Sequence, residues 1–318
     1  MAYMMRQRMP EMLDEMTSTI NELARSIEQF TAEDGIHATT IPRVTLVRMS
    51  QPTVPTHAVQ NPAICIIAQG AKRVLMGDQV MHYGPLRYLV VSVDVPVIGQ
   101  VIEATAEEPY LCFKLDLDPA MLGQLLLDMG PEMASDEDEG ATTGMGLATV
   151  TDDIIATATR LLRLLESPQD VRMLAPMVER ELLYRLLRGE QAAQLRQIAW
   201  GGSRLQQINR AIGWIKENFA EPFRIEAVAA EARMSASALH LHFKSVTAMS
   251  PLQYQKQLRL QEARRLILSQ AADAATAGHR VGYDSPSQFS REYARLFGAP
   301  PLRDVARLRQ SPGQFAEA

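Results

Sequence analysis

The sequence predicts an α+β chain with a strand-rich N-terminal part, a helical connector and an all-α C-terminal part. Three observations lead there. Short runs rich in β-branched residues lie between residues 41 and 117 and are punctuated by Gly and Pro. From Asp152 to Trp200, apolar residues recur at steps of three and four. Residues 201–318 then carry one helical pattern written twice, fifty residues apart. At 318 residues the chain exceeds one ordinary domain, and its 47% hydrophobic content suits a full core.

The first segment, residues 1–40, reads as helical. Leu13, Met16, Ile20, Leu23 and Ile27 make one apolar seam over Pro10 to Phe30, suited to the chain's own core or to a dimer contact. The second segment, 41–130, holds the strand-like runs 63–68, 73–76, 88–93 and 97–102. Gly70, Gly77, Gly84, Pro85, Asp94 and Pro96 separate them, as in a small barrel or sandwich. Residues 131–200 form the connector. It opens on an exposed loop from Gly130 to Gly146, whose acidic run 136–139 lacks the spacing and central glycine of a calcium loop. Ile155, Ala158, Leu162 and Leu165, then Met177, Leu182, Tyr184 and Leu187, follow with helical period. Gly201, Gly202 and Ser203 mark a joint, so the last domain spans 201–318.

The net charge of −5 hides an asymmetry. Residues 201–318 hold 16 basic against 10 acidic side chains, a balance of +6, whereas residues 1–200 hold 16 against 27, or −11. A basic tail on an acidic chain is a pointer to nucleic acid. Two cysteines in this length exclude a disulfide framework and imply a reducing, cytoplasmic setting. No window approaches eighteen uninterrupted apolar residues, and the first residues lead into Glu11, Asp14 and Glu15, so neither a membrane span nor a secretory signal is expected. The six histidines offer no close metal-binding spacing in the strand-rich part, and no Ser-His-Asp set, phosphate loop or paired-cysteine motif occurs. No catalytic residue, metal ligand or cofactor is predicted.

The repeated pattern carries the functional reading. Ser235, Ser237, Leu239 and Phe243 recur as Ser285, Ser287, Phe289 and Tyr293, and Pro251 and Pro301 each stand eight positions after the aromatic. The leading serine suits an N-cap. The apolar residue and the aromatic four further on share one buried face, which leaves the residues between them outward. A packing helix and a turn precede each copy: Ile225, Val228 and Ala229 with Ala232–Met234, then 271–278 with Gly282–Asp284. Helix, short turn and capped polar helix is the helix-turn-helix pattern, whose second helix fits a DNA major groove. Pro251 to Leu268 joins the copies as one helix, with Leu252, Leu258, Leu260, Ala263, Leu266 and Ile267 on its apolar side. Such a strut, about 27 Å long at about 1.5 Å per residue, suits two helices placed about one DNA turn apart, about 34 Å.

With residues 243–251, 259–264 and 281–291, the stretch from Ile208 to Leu308 resembles the DNA-binding domain of the AraC/XylS regulators. Residues 62–70 through 116–119 resemble the cupin-like sensor domain of one AraC-type subgroup. The resemblance implies a cupin-like β-barrel that binds a small-molecule effector, together with a transcription regulator's double helix-turn-helix. It implies base contacts from Ala236, Ser237, His240 and Leu241 in the first unit, with Lys244 near phosphate. In the second unit it implies Pro286, Ser287, Ser290 and Arg291, with Arg295 near the backbone; the Arg291 fork suits guanine. The expected partners are double-stranded promoter DNA, the effector, a second copy of the chain and RNA polymerase.

Three positions depart from the family's usual residues. Leu241 stands where arginine is common and would touch a thymine methyl or simply pack. Ala232 stands where glycine is frequent, and Gly278 where alanine is usual, so the second unit is expected to be loosely packed. By strand position, the effector pocket would be lined by Cys65, Met76, Tyr83, Tyr88 and Cys112. The thiols are read as buried apolar groups or as sensors of an electrophile. The alternative of another class is a cupin-type metalloenzyme with a DNA-binding appendage.

Overall fold

Ten strands pair into two antiparallel sheets in the computed structural model, which describes residues 17–130, 143–200, 202–269 and 272–310. One sheet runs β1 (Gly35–Ala38), β2 (Val44–Met49), β9 (Tyr110–Asp116), β4 (Ala63–Gln69), β7 (Arg87–Val91), β10 (Met145–Thr149). The other runs β3 (Thr56–Gln60), β8 (Val95–Glu103), β5 (Ala71–Met76), β6 (Gln79–Tyr83). The expected cupin-like barrel is thus built as two facing sheets that do not close into one continuous ring.

The central strand β4 is buried on both faces from Ala63 to Ala68. Side chains alternate along a strand, and Cys65 lies opposite Leu89 and Lys114 while Ile66 lies opposite Tyr88 and Phe113. Cys65, Leu89 and Lys114 therefore share the inner face, and Ile66, Tyr88 and Phe113 the outer one. Helices cover that outer side: α1 (residues 17–29), α2 (Pro119–Met129), α3 (Asp152–Arg163), α4 (Pro168–Leu186) and α5 (Ala192–Ala199). Asp118 caps α2 and Thr151 caps α3 through their side-chain oxygens. Arg43 grips the buried Glu179 of α4 with two bonds of 2.8 Å, tying the sandwich to the connector.

Two expectations change here. Within the N-terminal seam, Ile20, Leu23 and Ile27 are buried in the chain's own core, which removes them from a dimer contact, while Leu13 and Met16 lie outside the described residues. The presumed loop reaching Gly146 ends earlier, because Met145 begins β10 and pairs with Val91; residues 131–142, with the acidic run, lie outside the described residues.

The C-terminal part is helical throughout: α6 (Arg204–Glu217), α7 (Ile225–Glu231), α8 (Ala236–Thr247), α9 (Pro251–Leu268), α10 (Ala274–Arg280), α11 (Pro286–Phe297) and α12 (Pro301–Gln310). Its apolar residues fall into two clusters. One is continuous from Ile20 through the sandwich and connector to α6, α7, α8 and Leu258; the other joins Leu260, Ala263 and Ile267 to α10, α11 and α12. The split lies along α9, between the two repeated units. Among the described residues no helix is long and apolar enough to cross a membrane.

Candidate nucleic-acid interface and effector cavity

In the first unit, α7 ends in a tight turn whose left-handed residue is Arg233 (φ 54°) and whose Met234 amide bonds back to the Ala229 carbonyl at 2.9 Å. In the second, Gly282 (φ 87°) takes the left-handed place, and the Tyr283 amide bonds back to the Gly278 carbonyl at 3.0 Å. A side chain at Gly282 would collide with the Ala220 carbonyl, so glycine is required there for space as well as for conformation. These matched bonds set the units forty-nine residues apart before the turn and fifty after it, because Asp284 is an extra residue in the second turn. Ala232, where glycine was the family's frequent choice, is an ordinary right-handed residue (φ −69°) and needs no glycine.

The capping serines act as the sequence requires. The Ser235 hydroxyl accepts from the Ala238 amide at 3.2 Å, and Ser285 from Gln288 at 3.3 Å. Leu239, Phe243, Phe289 and Tyr293 are buried beneath the two helices. On the opposite faces Ser237, His240, Leu241 and Lys244 are exposed in α8, as are Pro286, Ser287, Arg291 and Arg295 in α11; Ala236 and Ser290 are half-buried at the rims. His242 is half-buried on the packing side. Glu292, the next residue after Arg291, is held by Lys256 and Tyr283, each at 2.8 Å. Among the described residues, Arg291 bonds through its Nε to the Ser287 carbonyl at 3.3 Å, which leaves its fork turned outward.

The strut α9 has the bounds read from the sequence. Ser250 and Gln253 form a reciprocal capping box at its start. Leu252, expected on the apolar side, is 42% exposed instead. Sequence reasoning missed what fixes the strut to both units. The guanidinium of Arg259 donates to the carbonyls of Phe219 (2.6 Å), Glu221 (2.8 Å) and Gly282 (2.8 Å), clamping the end of α6 to the second turn. Arg264 pairs with the fully buried Asp304 of α12 at 2.8 Å, and the Tyr293 hydroxyl donates to the same carboxylate at 2.9 Å.

Between the two sheets lies a cavity lined by residues that include Gln60, Cys65, Lys72, Tyr83 and Tyr110. Cys65 and Tyr83 are thus at the expected place. Met76 and Cys112 are buried without lining this space, and Tyr88 points the other way. Tyr88 sits one step out of phase with Cys65, so its hydroxyl reaches the outer side near Gly189. Burial there, together with Glu190, pushes the phenol up to about 12. The Cys65 thiol is drawn down to about 7, chiefly by a hydrogen bond with Cys112, whose own thiol is pushed well up by the same bond and by burial. Among the described residues no group of three His, Cys, Asp or Glu side chains is placed to hold a metal ion.

A small cavity in a two-sheet domain, joined through helices to paired helix-turn-helix units, defines the class of sensor-linked helix-turn-helix proteins. The chain belongs to the AraC-type transcriptional regulators: residues 40–194 match their N-terminal region, and residues 228–307 match a helix-turn-helix domain family. It is 30% identical over 103 residues to the transcriptional activator RhaS of Escherichia coli strain SE11, covering 32% of this chain and 37% of that protein. Against RhaS of Escherichia coli O1:K1 it is 26% identical over 162 residues, 50% of this chain and 57% of the relative. The chain thus spans between 37% and 57% of the length of these curated relatives. In fold it is similar to apo ToxT of Vibrio cholerae (TM-score 0.56, 9% identity), with 85% of this chain and 99% of that one covered. ToxT bound to (E)-4-(8-methylnaphthalen-1-yl)but-3-enoic acid gives a TM-score of 0.55 at 11% identity, covering 83% and 98%.

Proposed function

We propose that this chain is a sequence-specific DNA-binding activator of transcription, controlled by a small molecule held between its two β-sheets. The observation that carries the reading is the outward polar face of each capped helix, α8 and α11, on either side of one strut. In this reading Ala236, Ser237, His240 and Leu241 meet bases from the first unit, with Lys244 on phosphate. Pro286, Ser287, Ser290 and Arg291 do so from the second, with Arg295 on the backbone. Leu241, 67% exposed, is available to a thymine methyl. The effector part is supported by the inter-sheet cavity and by a ligand bound in ToxT, a protein of similar fold.

The chain acts in the cytoplasm as a homodimer and recruits RNA polymerase. Two free cysteines favour a reducing compartment. An exposed apolar stripe on α4, formed by Met173, Leu174, Met177 and Tyr184, favours pairing of two chains.

Gel retardation on the DNA upstream of the chain's own coding sequence tests this reading. Wild-type protein is expected to shift one site with two chains per duplex, and Arg291→Ala to weaken it by about 1–3 kcal/mol and relax specificity at one base. Retardation that ignores sequence and is untouched by Arg291→Ala would defeat the DNA reading, and one chain per duplex would defeat the dimer.

A further inference from the structure

The turns that precede α8 and α11 are one device built from different residues. In the first unit the Arg233 amide donates to the Ala230 carbonyl at 3.0 Å, beside the bond from Met234 to Ala229. In the second the Gly282 amide donates to His279 at 3.0 Å, beside the bond from Tyr283 to Gly278. This way of ending a helix leaves one residue left-handed, and glycine is its usual occupant because a Cβ there crowds the following carbonyl. The second unit has Gly282 at that place, whereas the first has Arg233. Among the described residues three others with a side chain share this conformation, and each is held within the chain. Arg43 is bonded to Glu179, and Leu86 and Ala248 pack against the apolar core. Arg233 is exposed, and among the described residues its guanidinium makes no hydrogen bond or ion pair. Nothing inside the protein accounts for an arginine in so costly a backbone conformation.

In a helix-turn-helix the first helix crosses the sugar-phosphate backbone and the second enters the major groove by its N-terminal residues. The turn between them passes over the phosphates at the groove's rim. Arg233 stands in that turn, two positions before Ser235, the cap of α8. We propose that Arg233 anchors the first unit on a DNA phosphate, and that the strained turn is retained for this contact. The second unit has no counterpart, because its turn is already taken up inside the protein. A side chain at Gly282 would collide with the Ala220 carbonyl, and Arg259 holds the Gly282 carbonyl at 2.8 Å. This inference rests on the reading of α8 as a groove-entering helix. It adds a residue that supplies affinity without sequence preference, since phosphate contacts position a protein and carry no base information. A cation just past a helix end also favours that helix's last carbonyls, so the test must separate service to α7 from service to DNA.

The experiment titrates the full chain onto two duplexes over a range of potassium chloride concentrations, with the Tm of the free protein measured alongside. One duplex is the DNA upstream of the chain's own coding sequence; the other is a scrambled sequence of equal length. Arg233→Gly is expected to raise the Tm, since the strain goes with the side chain. Its binding should fall by the same factor on both duplexes, and the slope of log affinity against log salt should lose about 0.9 for each bound chain. Arg233→Lys, which keeps charge and strain, should keep the slope. Arg233→Gln, which keeps strain alone, should lose it as the glycine variant does. An unchanged slope in Arg233→Gly overturns the phosphate contact; a lowered Tm beside it would assign the arginine to α7 alone. A loss confined to the upstream duplex also overturns it, because a base contact would then be at work. Wild-type protein that binds neither duplex defeats the DNA reading and this contact together. Preference for the upstream duplex that Arg291→Ala reduces upholds the DNA reading, whatever the Arg233 variants do.

Discussion

The first helix-turn-helix unit is packed into the same apolar cluster as the β-sandwich, whereas the second keeps a core of its own. In the first, the Gly144 amide donates to the Val246 carbonyl at 2.7 Å, and the Tyr254 hydroxyl, just beyond the unit in α9, donates to the Asp94 carbonyl at 2.8 Å. The second is built around a run of aromatic side chains, Tyr283, Phe289, Tyr293 and Phe297, in successive tilted or edge contacts. It meets the sandwich through an edge contact between Phe297 and His57, whose ring centroids are 4.9 Å apart. A rearrangement of the sheets therefore acts on the first unit directly, and on the second through α9 and that ring contact.

The largest test of this division is Asp304→Ala. The carboxylate is fully buried and answers Arg264, Tyr293 and Arg307 at 2.8–3.0 Å. Its removal leaves the Arg264 guanidinium, 10% exposed, without a counter-charge, at a cost of about 3–5 kcal/mol. If the cores are separate, amide-exchange protection will be lost in α11 and α12 and kept in α8 and the sandwich. A uniform loss across both units would erase the distinction.

A smaller effect is expected from His57, the sandwich's contact with the second unit. Burial, and then the charge of Arg264 against the pull of Asp304, lowers its pKa from 6.5 to about 4. Between these values the unfolded chain binds a proton that the folded chain refuses, so stability rises with pH across that window. The contribution is complete above about pH 6.5 and is lost as the pH falls towards 4, about 3 kcal/mol in all. Urea unfolding across this range should show His57→Leu with a shallower acid loss than wild type. Parallel curves would mean that the ring is not held dry against Phe297.

Much of this arrangement was legible in the residues, because periodicity and capping act locally. Ser235 and Ser285 each announce a helix start, and Leu239–Phe243 and Phe289–Tyr293 each announce a buried face; all are borne out. The strands were legible by composition, but their facing was not. Tyr88 and Cys65 both read as strand residues, and only pairing register puts them on opposite faces. Lys72 left a signal that went unused: the expected strand was started at Arg73, one residue too late to include a lysine in phase with Val74 and Met76. Arg259 and Arg264 could not be found locally, since their partners lie between 23 and 40 residues away in the chain.

Gly278 gives the smallest effect and compares the two units most closely. A glycine in helix α10 costs about 1 kcal/mol against alanine, which on helical grounds alone makes Gly278→Ala stabilising and the unit loose. The packing argues otherwise. A Cβ at Gly278 would lie 2.9 Å from the Phe289 ring, which is 2% exposed and boxed by Tyr283 and Tyr293. At the matching positions the first unit carries Ala229 and Leu239, so each unit pairs a small residue with a complementary larger one. Overpacking of this kind costs about 1–3 kcal/mol, enough to outweigh the helical gain. Gly278→Ala is therefore expected to lower stability by about 1 kcal/mol in urea. The double change with Phe289→Leu, which copies the first unit's pair, should recover part of that loss. A stabilised single variant would return the second unit to the loosely packed state expected from its sequence.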